Sequence, residues 1–270
     1  LLSQSIDGTA PGTTARSLLL SPQGKLRATL WLGRNGDEVV AIADAGVGGD
    51  VIADLSRFKI RVDVAISTDP TPIAALIGPG ARAALDTIDA PGFSVDGGDT
   101  ILPAPMGRSG LPRFFVGEGV VAALAASGVP SAGALAATAV RVEAGEPMFG
   151  VDIDEKTIPQ EAGPVDDAVS FTKGCYLGQE LVARIDSRGH VNRHLRGLAI
   201  TSNVLPPVGA EVIANDKPVG MLTSVAESLD LRAPVALSLI RREVGPDDEV
   251  AIRWDGGETT ATVRELPLMR

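Results

Sequence analysis

Hydrophobic and polar positions alternate along the first part of the chain in a way that predicts a small antiparallel sheet. Every second residue from 26 to 32 is apolar, which is the pattern of a half-buried strand. Turn sequences lie at 21–24 and 35–37, and apolar residues occupy 18–20 and 39–43 beyond these turns. We therefore predict three successive strands joined by tight turns.

The middle of the chain predicts short strands and helices in alternation. Asp50 is placed to cap a helix that ends near Phe58, and residues 60–66 show the strict alternation of a strand. Residues 144–168 hold few periodic apolar positions and predict a long ordered loop, a feature that often carries function. The other predicted elements are strands at 73–77 and 113–116 and helices at 81–88, 120–127, 132–143 and 176–186.

The pattern changes after Gly189 to short strands separated by turns. This spacing is typical of a small antiparallel barrel or sandwich. We therefore predict two parts, a region of mixed helices and strands over residues 1–189 and an antiparallel barrel or sandwich over 190–270. The strands predicted in the second part are 194–201, 211–215, 218–226, 233–241, 249–254 and 259–265.

Composition narrows the classes of function. The 270 residues carry a formal net charge of −10 and only 3% aromatic side chains, so we expect no direct binding to nucleic acid, which needs a basic surface or stacking aromatics. No apolar run approaches the roughly 20 residues of a membrane span, and the first residues lack the features of a signal peptide. We expect a cytoplasmic protein without membrane contact.

Cys175 is the single cysteine, which excludes an internal disulfide and a zinc or iron–sulfur site built from several cysteines of this chain. Together with His190 and His194 it supplies three soft ligands, one fewer than a closed zinc site uses. The sequence therefore predicts no metal ion held stably by this chain alone.

The surroundings of Cys175 point to chemistry. It lies in the segment Lys173-Gly174-Cys175-Tyr176-Leu177-Gly178-Gln179-Glu180, at or just before the first turn of the helix predicted for 176–186. Unpaired backbone N–H groups at a helix start, and the charge of Lys173, stabilise a thiolate. Two interpretations remain open, a reactive accessible thiol and a buried cysteine that acts as a small hydrophobic residue.

The same part of the chain is its most basic part. From Lys173 to Arg196 there are five basic and two acidic residues, a net charge of +3 within a chain of −10. A basic patch of this kind suits a small polyanion. The alternative is that its arginines pair with acidic residues elsewhere in the protein.

The octapeptide Lys173–Glu180 resembles the signature of the YgfZ family, folate-binding proteins of iron–sulfur cluster maintenance once described as tRNA-modifying proteins. Runs at 141–145, 150–152 and 158–161 resemble the same family and its relative, the aminomethyltransferase of glycine cleavage. The resemblance is close from about residue 141 to 197. It implies an interleaved, aminomethyltransferase-like α+β region that binds folate, followed by a small antiparallel β-barrel.

The resemblance also implies a ligand, partners and site residues. The ligand is tetrahydrofolate or a one-carbon derivative, and the partners are iron–sulfur proteins or their assembly factors. Cys175 is then the functional thiol, as a ligand of a transient cluster or as a nucleophile, with Lys173 beside it. The remaining motif residues are Gly174, Tyr176, Gly178, Gln179 and Glu180, and the implied folate-binding residues are Arg141, Glu143, Arg184 and Arg188. A pairing of Glu143 with Arg141 is the alternative role for that carboxylate.

Some positions depart from the family's pattern. Glycine-cleavage enzymes place a carboxylate just after the first hairpin turn, where this chain has Ala28 and Thr29, and neither side chain is an acid or base near neutral pH. Ala137 stands where some family members have a tryptophan that contacts folate. Leu1–Gln4 resembles the end of the family's first helix, so we expect an N-terminal segment to be missing.

The sequence therefore favours a folate-binding accessory protein over an enzyme with turnover. A folate-dependent aminomethyltransferase or one-carbon transferase is the alternative. A third hypothesis is an interaction module that recruits tRNA-modifying enzymes, which the net charge of −10 disfavours if it requires direct tRNA binding.

Overall fold

The computed structural model shows two compact units. The first comprises Leu1–Pro105, Leu111–Ser131 and Val165–Ala183, and the second Met106–Gly110, Ala132–Pro164 and Arg184–Arg270. The boundary near residue 190 stays a prediction. The structure describes residues 1–7, 9–10, 12–60, 62–95, 97–163, 165 and 167–269, without the side chain of Arg188.

The first unit opens with the antiparallel sheet that the alternating pattern predicts. Its strands are β1 (Thr14–Leu20), β2 (Leu26–Asn35) and β3 (Glu38–Ala43), and helix α1 (Gly48–Arg57) follows them. Residues 26, 28, 30 and 32 of β2 are buried, because that face contributes to the core. The central core residues are Leu19, Ala28, Leu30, Leu32 and Val51.

A second antiparallel sheet completes the first unit. The elements of this part are β4 (Ile73–Ile77), α2 (Ala81–Thr87), β5 (Ile101–Pro103), β6 (Arg113–Gly117) and α3 (Glu118–Ala126). The strand order of the sheet is β4-β6-β5, and helices α2 and α3 pack their apolar residues against it. A short 3₁₀ helix, Gly97–Asp99, precedes β5.

Two local predictions in this unit are wrong. The described residues of 60–66 form no strand, and Ile60 and Val62 are 71% and 58% exposed. Alternation gives a segment an apolar face, but a strand also needs a neighbour that pairs its backbone N–H and C=O groups. Asp50 is not the cap of α1, because the helix already begins at Gly48 and Val47 takes the cap position without a side-chain hydrogen bond.

The second unit contains the predicted C-terminal barrel. Its strands are β7 (Arg193–Ile200), β8 (Glu211–Ala214), β9 (Lys217–Ser228), β10 (Ala233–Arg241), β11 (Glu249–Trp254) and β12 (Gly257–Arg264). The barrel is closed, with the strand order β10-β7-β12-β11-β8-β9, and closure leaves no sheet edge unpaired. Its interior is filled by buried apolar side chains such as Leu198, Leu222 and Ile252. The predicted α+β fold with an antiparallel barrel is confirmed.

Helix α4 (Ala134–Ala144) packs on the outside of this barrel, where Val142 contacts a cluster that includes Leu195 and Leu237. The described residues of the long loop predicted for 144–168 contain one helical turn, α5 (Pro159–Ala162). Helix α6 (Gln179–Arg188) follows the motif around Cys175. In the part of the chain that the structure describes, no helix has the length and apolar character needed to cross a membrane.

Candidate functional site

Cys175 lies in an exposed loop and not at a helix start. Helix α6 begins at Gln179, four residues after Cys175, so the predicted start at 176 is wrong. Gly178 has a φ of +79°, a left-handed conformation that an α-helix does not contain. The exposure of Cys175 excludes the interpretation as a buried hydrophobic residue and leaves the thiol open to reactants.

Lys173 anchors the start of this loop. Its Nζ donates hydrogen bonds to the backbone oxygens of Leu2 (2.7 Å) and Gln4 (3.2 Å), and it lies 5.9 Å from the ring centre of Tyr176. Burial lowers the pKa of Lys173, and the negative charge of Asp7 acts in the opposite direction. The described contacts of Lys173 therefore attach the motif to the N-terminal segment.

Gly178 anchors the end of the loop through a close approach of two backbones. A Cβ atom at residue 178 would lie 2.7 Å from the Cα of Gly24 and 2.7 Å from the oxygen of Ser21. Gly24, in the turn between β1 and β2, has a φ of +71°, and a Cβ there would lie 2.8 Å from the Cβ of Leu181. Only glycine fits at these two positions, so the β1–β2 turn packs directly on the motif.

The other motif residues have different environments. A Cβ at Gly174 would meet no atom within 4 Å, and this position faces open space. Tyr176 is buried, whereas Glu180 is exposed in the first turn of α6. The positive end of the helix dipole stabilises a carboxylate at that position. Gln179 is half-buried, and its N–H donates to the oxygen of Tyr176 at 3.3 Å. The loop thus has fixed ends and an exposed centre at Gly174 and Cys175.

Arg141 forms the centre of a buried polar network in the second unit. Its Nη1 lies 2.5 Å from Oδ2 of Asp152 and 2.9 Å from the oxygen of Glu146, and its Nη2 lies 2.5 Å from Oγ of Ser224. The Asp152 side chain is fully buried and also accepts hydrogen bonds from Thr223 and Ser224, each at 2.6 Å. The network joins α4, the following loop and β9.

Asp152 is the residue of this network that sequence reasoning missed. It belongs to the family-like run 150–152, but no partner could be assigned to it from the sequence. The alternative pairing of Glu143 with Arg141 is not what the structure shows, because Arg141 pairs with Asp152. The Glu143 carboxylate is half-buried, and among the described residues it has no recorded hydrogen bond or ion pair.

The basic segment contains both paired and exposed arginines. Arg193 forms an ion pair with Glu161 at 3.0 Å, and Arg196 lies 3.8 Å from Glu265, as the alternative interpretation of this segment expects. Arg184 is exposed on α6 without an ion pair to any described residue. Arg188 closes α6, but its side chain lies outside what the structure describes.

His194 lies beside this segment's ion pairs. Burial and the positive charge of Arg196 lower the pKa of His194, and Glu161 acts in the opposite direction. Across residues 1–269, apart from the positions that the structure leaves undescribed, no group of three or more His, Cys, Asp or Glu side chains is arranged to hold a metal ion.

The structure places a carboxylate beside Thr29, which like Ala28 is a position where this chain has no acidic residue of its own. Ala28 is completely buried in the core, but Oγ1 of Thr29 donates a hydrogen bond to Oδ2 of Asp44 at 3.0 Å. Asp44 directly follows β3, whose last residue, Ala43, pairs with Leu30. Strand pairing therefore brings this acid to Thr29. The signal in the sequence was the short turn between β2 and β3, which determines the register.

Comparison with known proteins supports the fold and the wider relationship. Residues 193–269 match the family model of the glycine cleavage T-protein C-terminal barrel domain. The aminomethyltransferase T of the glycine cleavage system from Bartonella henselae has a similar structure, with a TM-score of 0.81 and 22% identity, over 99% of this chain and 79% of that one.

Several curated proteins are similar in sequence. An aminomethyltransferase of Pseudothermotoga lettingae is 32% identical over 53% of this chain and 39% of its own length, and one of Synechococcus sp. is 26% identical over 96% and 78%. The tRNA-modifying protein YgfZ of Yersinia enterocolitica is 31% identical over 48% of this chain and 40% of that protein. The matches with the first and third of these span less than half of each relative. The chain therefore has aminomethyltransferase-like relatives, with YgfZ among them.

Proposed function

We propose that this protein is a tetrahydrofolate-binding accessory protein that supports iron–sulfur cluster assembly or repair through the thiol of Cys175. The observation that carries the proposal is the geometry of the motif. Cys175 is exposed at the centre of a loop whose ends are anchored by Lys173 and Gly178. A similarity to a protein named YgfZ agrees with it.

The chemistry proposed for Cys175 requires a second contributor. One thiolate can serve as one ligand of a transient cluster, whereas stable clusters usually take four. Because the chain has no further cysteine, the other ligands would come from a partner protein or from small thiols. Iron–sulfur enzymes, including those that modify tRNA, are the clients that such an accessory protein would serve.

The residues proposed for the folate site fit a ligand to different degrees. The half-buried Glu143 carboxylate, without a recorded partner among the described residues, is suited to accept hydrogen bonds from the N–H groups of a pterin ring. Arg184 is exposed and can attract the anionic tail. The Arg141 guanidinium is already bound by Asp152, Glu146 and Ser224, so we assign it to the fold. Arg188 remains a proposed contact.

Binding of tetrahydrofolate is expected to raise the melting temperature of the protein in a saturable way, since a ligand that binds the native state stabilises it. Glu143→Gln removes a charged acceptor and is expected to weaken binding about tenfold or more. Glu155→Gln, in an exposed part of the following loop, is the matched control and should bind like the wild type. No shift at millimolar tetrahydrofolate would contradict the folate assignment.

Loss of the thiol is expected to lower the activity of iron–sulfur enzymes in cells whose only copy of the protein carries Cys175→Ala. The neighbouring variant Gly174→Ala keeps the thiol and adds a methyl group where no atom lies within 4 Å, so it should support wild-type activity. Protein levels of both variants are measured alongside. Activity of Cys175→Ala cells equal to the wild type would exclude this role of the thiol.

Asp44 favours the alternative function, a folate-dependent aminomethyltransferase. Its carboxylate lies 3.0 Å from the Thr29 hydroxyl, beside the position where glycine-cleavage enzymes carry their acid. If the protein forms methylene-tetrahydrofolate from an aminomethyl donor, Asp44→Asn is expected to lower the rate about 100-fold or more, as for a lost general acid or base. Asp50→Asn, on the exposed side of α1, should leave the rate unchanged. No product from the wild type would exclude the alternative.

A further inference from the structure

The first unit contains a cavity of about 430 Å³ that the proposed function does not use. Arg16 and Trp31, which pair across β1 and β2, form one wall, and Asp167 and Pro105 line it further along. Hydroxyl-bearing residues of the segment before β1, including Thr9, complete the lining. Its volume is within the range of sites for small organic molecules, about 300–1,000 Å³.

Arg16 is a buried cation that is incompletely paired. Its side chain is only 7% exposed, and its Nη1 lies 3.7 Å from Oδ2 of Asp167, an ion pair longer than a hydrogen bond. Nη1 itself is buried and has no hydrogen-bond partner among the described residues. Because burial of an unsatisfied charged donor is costly, the arrangement indicates a site for an anion that the protein does not supply.

The surroundings of Arg16 select the kind of anion. The guanidinium lies over the ring of Trp31, 5.9 Å from its centre. A guanidinium in this position can still donate hydrogen bonds in its own plane, the geometry that suits a carboxylate. Asp167 already contributes one negative charge, and its side chain is 46% exposed, so it can turn towards solvent. Arg113 also lies 5.8 Å from the ring centre of Trp31, but it does not line the cavity, and its Nε donates a hydrogen bond to the oxygen of Ala104 at 2.7 Å. Arg16 is the one cation among the described lining residues, so a single negative charge balances it, whereas a dianion would leave an excess.

We propose that this cavity binds a small organic carboxylate, which forms a bidentate pair with Arg16 and displaces Asp167 from it. None of the residues used here is Cys175, Glu143 or Asp44. The variants that test the proposed function and those that test this site therefore change different residues.

Trp31 provides a direct reporter of binding. The chain has two tryptophans. The substitution Trp254→Phe in the barrel leaves Trp31, beside Arg16, as the only tryptophan that contributes fluorescence. In this background, benzoate is expected to change the Trp31 fluorescence in a saturable way. Benzamide, which has the same ring without the charge, and inorganic phosphate should give no saturable change at the same concentrations. An equal response to benzamide or to phosphate would overturn the proposal.

Two variants test the exchange between Asp167 and the ligand. Asp167→Asn removes the internal competitor and is expected to tighten benzoate binding about three- to tenfold. Arg16→Met should abolish binding, and circular dichroism shows whether that variant is folded. If Arg16→Met does not fold, the result for Asp167→Asn decides whether the proposal holds. If Arg16 serves only the packing of the protein, Asp167→Asn is expected to give no gain in affinity for benzoate. Unchanged or weaker benzoate binding by Asp167→Asn would overturn the proposal.

Discussion

Replacement of Arg141 by methionine is expected to lower the free energy of unfolding by about 3–5 kcal/mol, the cost of leaving one partner of a buried ion pair without the other. The Asp152 carboxylate is fully buried, and the Arg141 side chain is 12% exposed. Without the guanidinium, Asp152 retains hydrogen bonds from Thr223, Ser224 and the N–H of Met148, but its charge has no buried counter-charge. Urea denaturation measures the loss.

An exposed ion pair of the same barrel provides the control. Arg253 and Glu258 lie 2.7 Å apart but are about half exposed, at 53% and 52%. Water and salt screen such a pair, so Arg253→Met should leave the free energy of unfolding nearly unchanged. The experiment also separates two roles of Arg141, because a residue that only contacts folate would lose affinity without losing stability. Wild-type stability of Arg141→Met would contradict the structural role.

Replacement of Gly178 by alanine is expected to lower the free energy of unfolding by about 2–4 kcal/mol. The new Cβ would lie 2.7 Å from both the Cα of Gly24 and the oxygen of Ser21, and the residue would have to keep a φ of +79°. These neighbours are backbone atoms, which cannot rotate away like the end of a long side chain. Thermal unfolding of the purified variant measures the effect.

The neighbouring glycine of the motif shows whether this cost comes from the close approach. Gly174→Ala adds the same methyl group to open space, and we expect a change within about 0.5 kcal/mol, as for a surface substitution. A second readout is the rate at which Cys175 reacts with a neutral alkylating agent, which should change in Gly178→Ala because the loop loses its anchored end. Equal stability of the two variants would show that the Gly24–Gly178 contact does not hold the loop.

Alternation and turn signals were sufficient to predict the sheet of β1–β3 and a C-terminal barrel or sandwich of short strands, and the family resemblance favoured the barrel. In β2 the apolar residues that alternate in sequence are those that the core buries, because a strand turns successive side chains to opposite faces. The same rule failed at residues 60–66, whose apolar side chains at Ile60 and Val62 are exposed. Backbone pairing depends on a second segment, and its presence cannot be read from the segment itself.

The segments that form the candidate site could be predicted from the sequence, but the contacts between their side chains could not. The motif around Cys175 and the runs near Arg141 were visible in the residues. The start of α6, however, depends on the contact between Gly178 and the β1–β2 turn. One hydrogen-bond partner of Arg141, Ser224, lies on a barrel strand that follows much later in the chain. The placement of Asp44 beside Thr29 and the pairing of Arg16 with Trp31 at the cavity also depend on strand register.

By itself, the sequence determined the class of fold, the motif around the single cysteine and the resemblance that suggests folate. These properties are encoded in local periodicity and in residue identity, which need no knowledge of distant neighbours. Only the tertiary structure decided that Lys173 and Gly178 fix the loop ends, that Arg141 belongs to a buried network and that Arg16 is left incompletely paired. Each of these depends on which distant groups meet, and on how much water is excluded when they do.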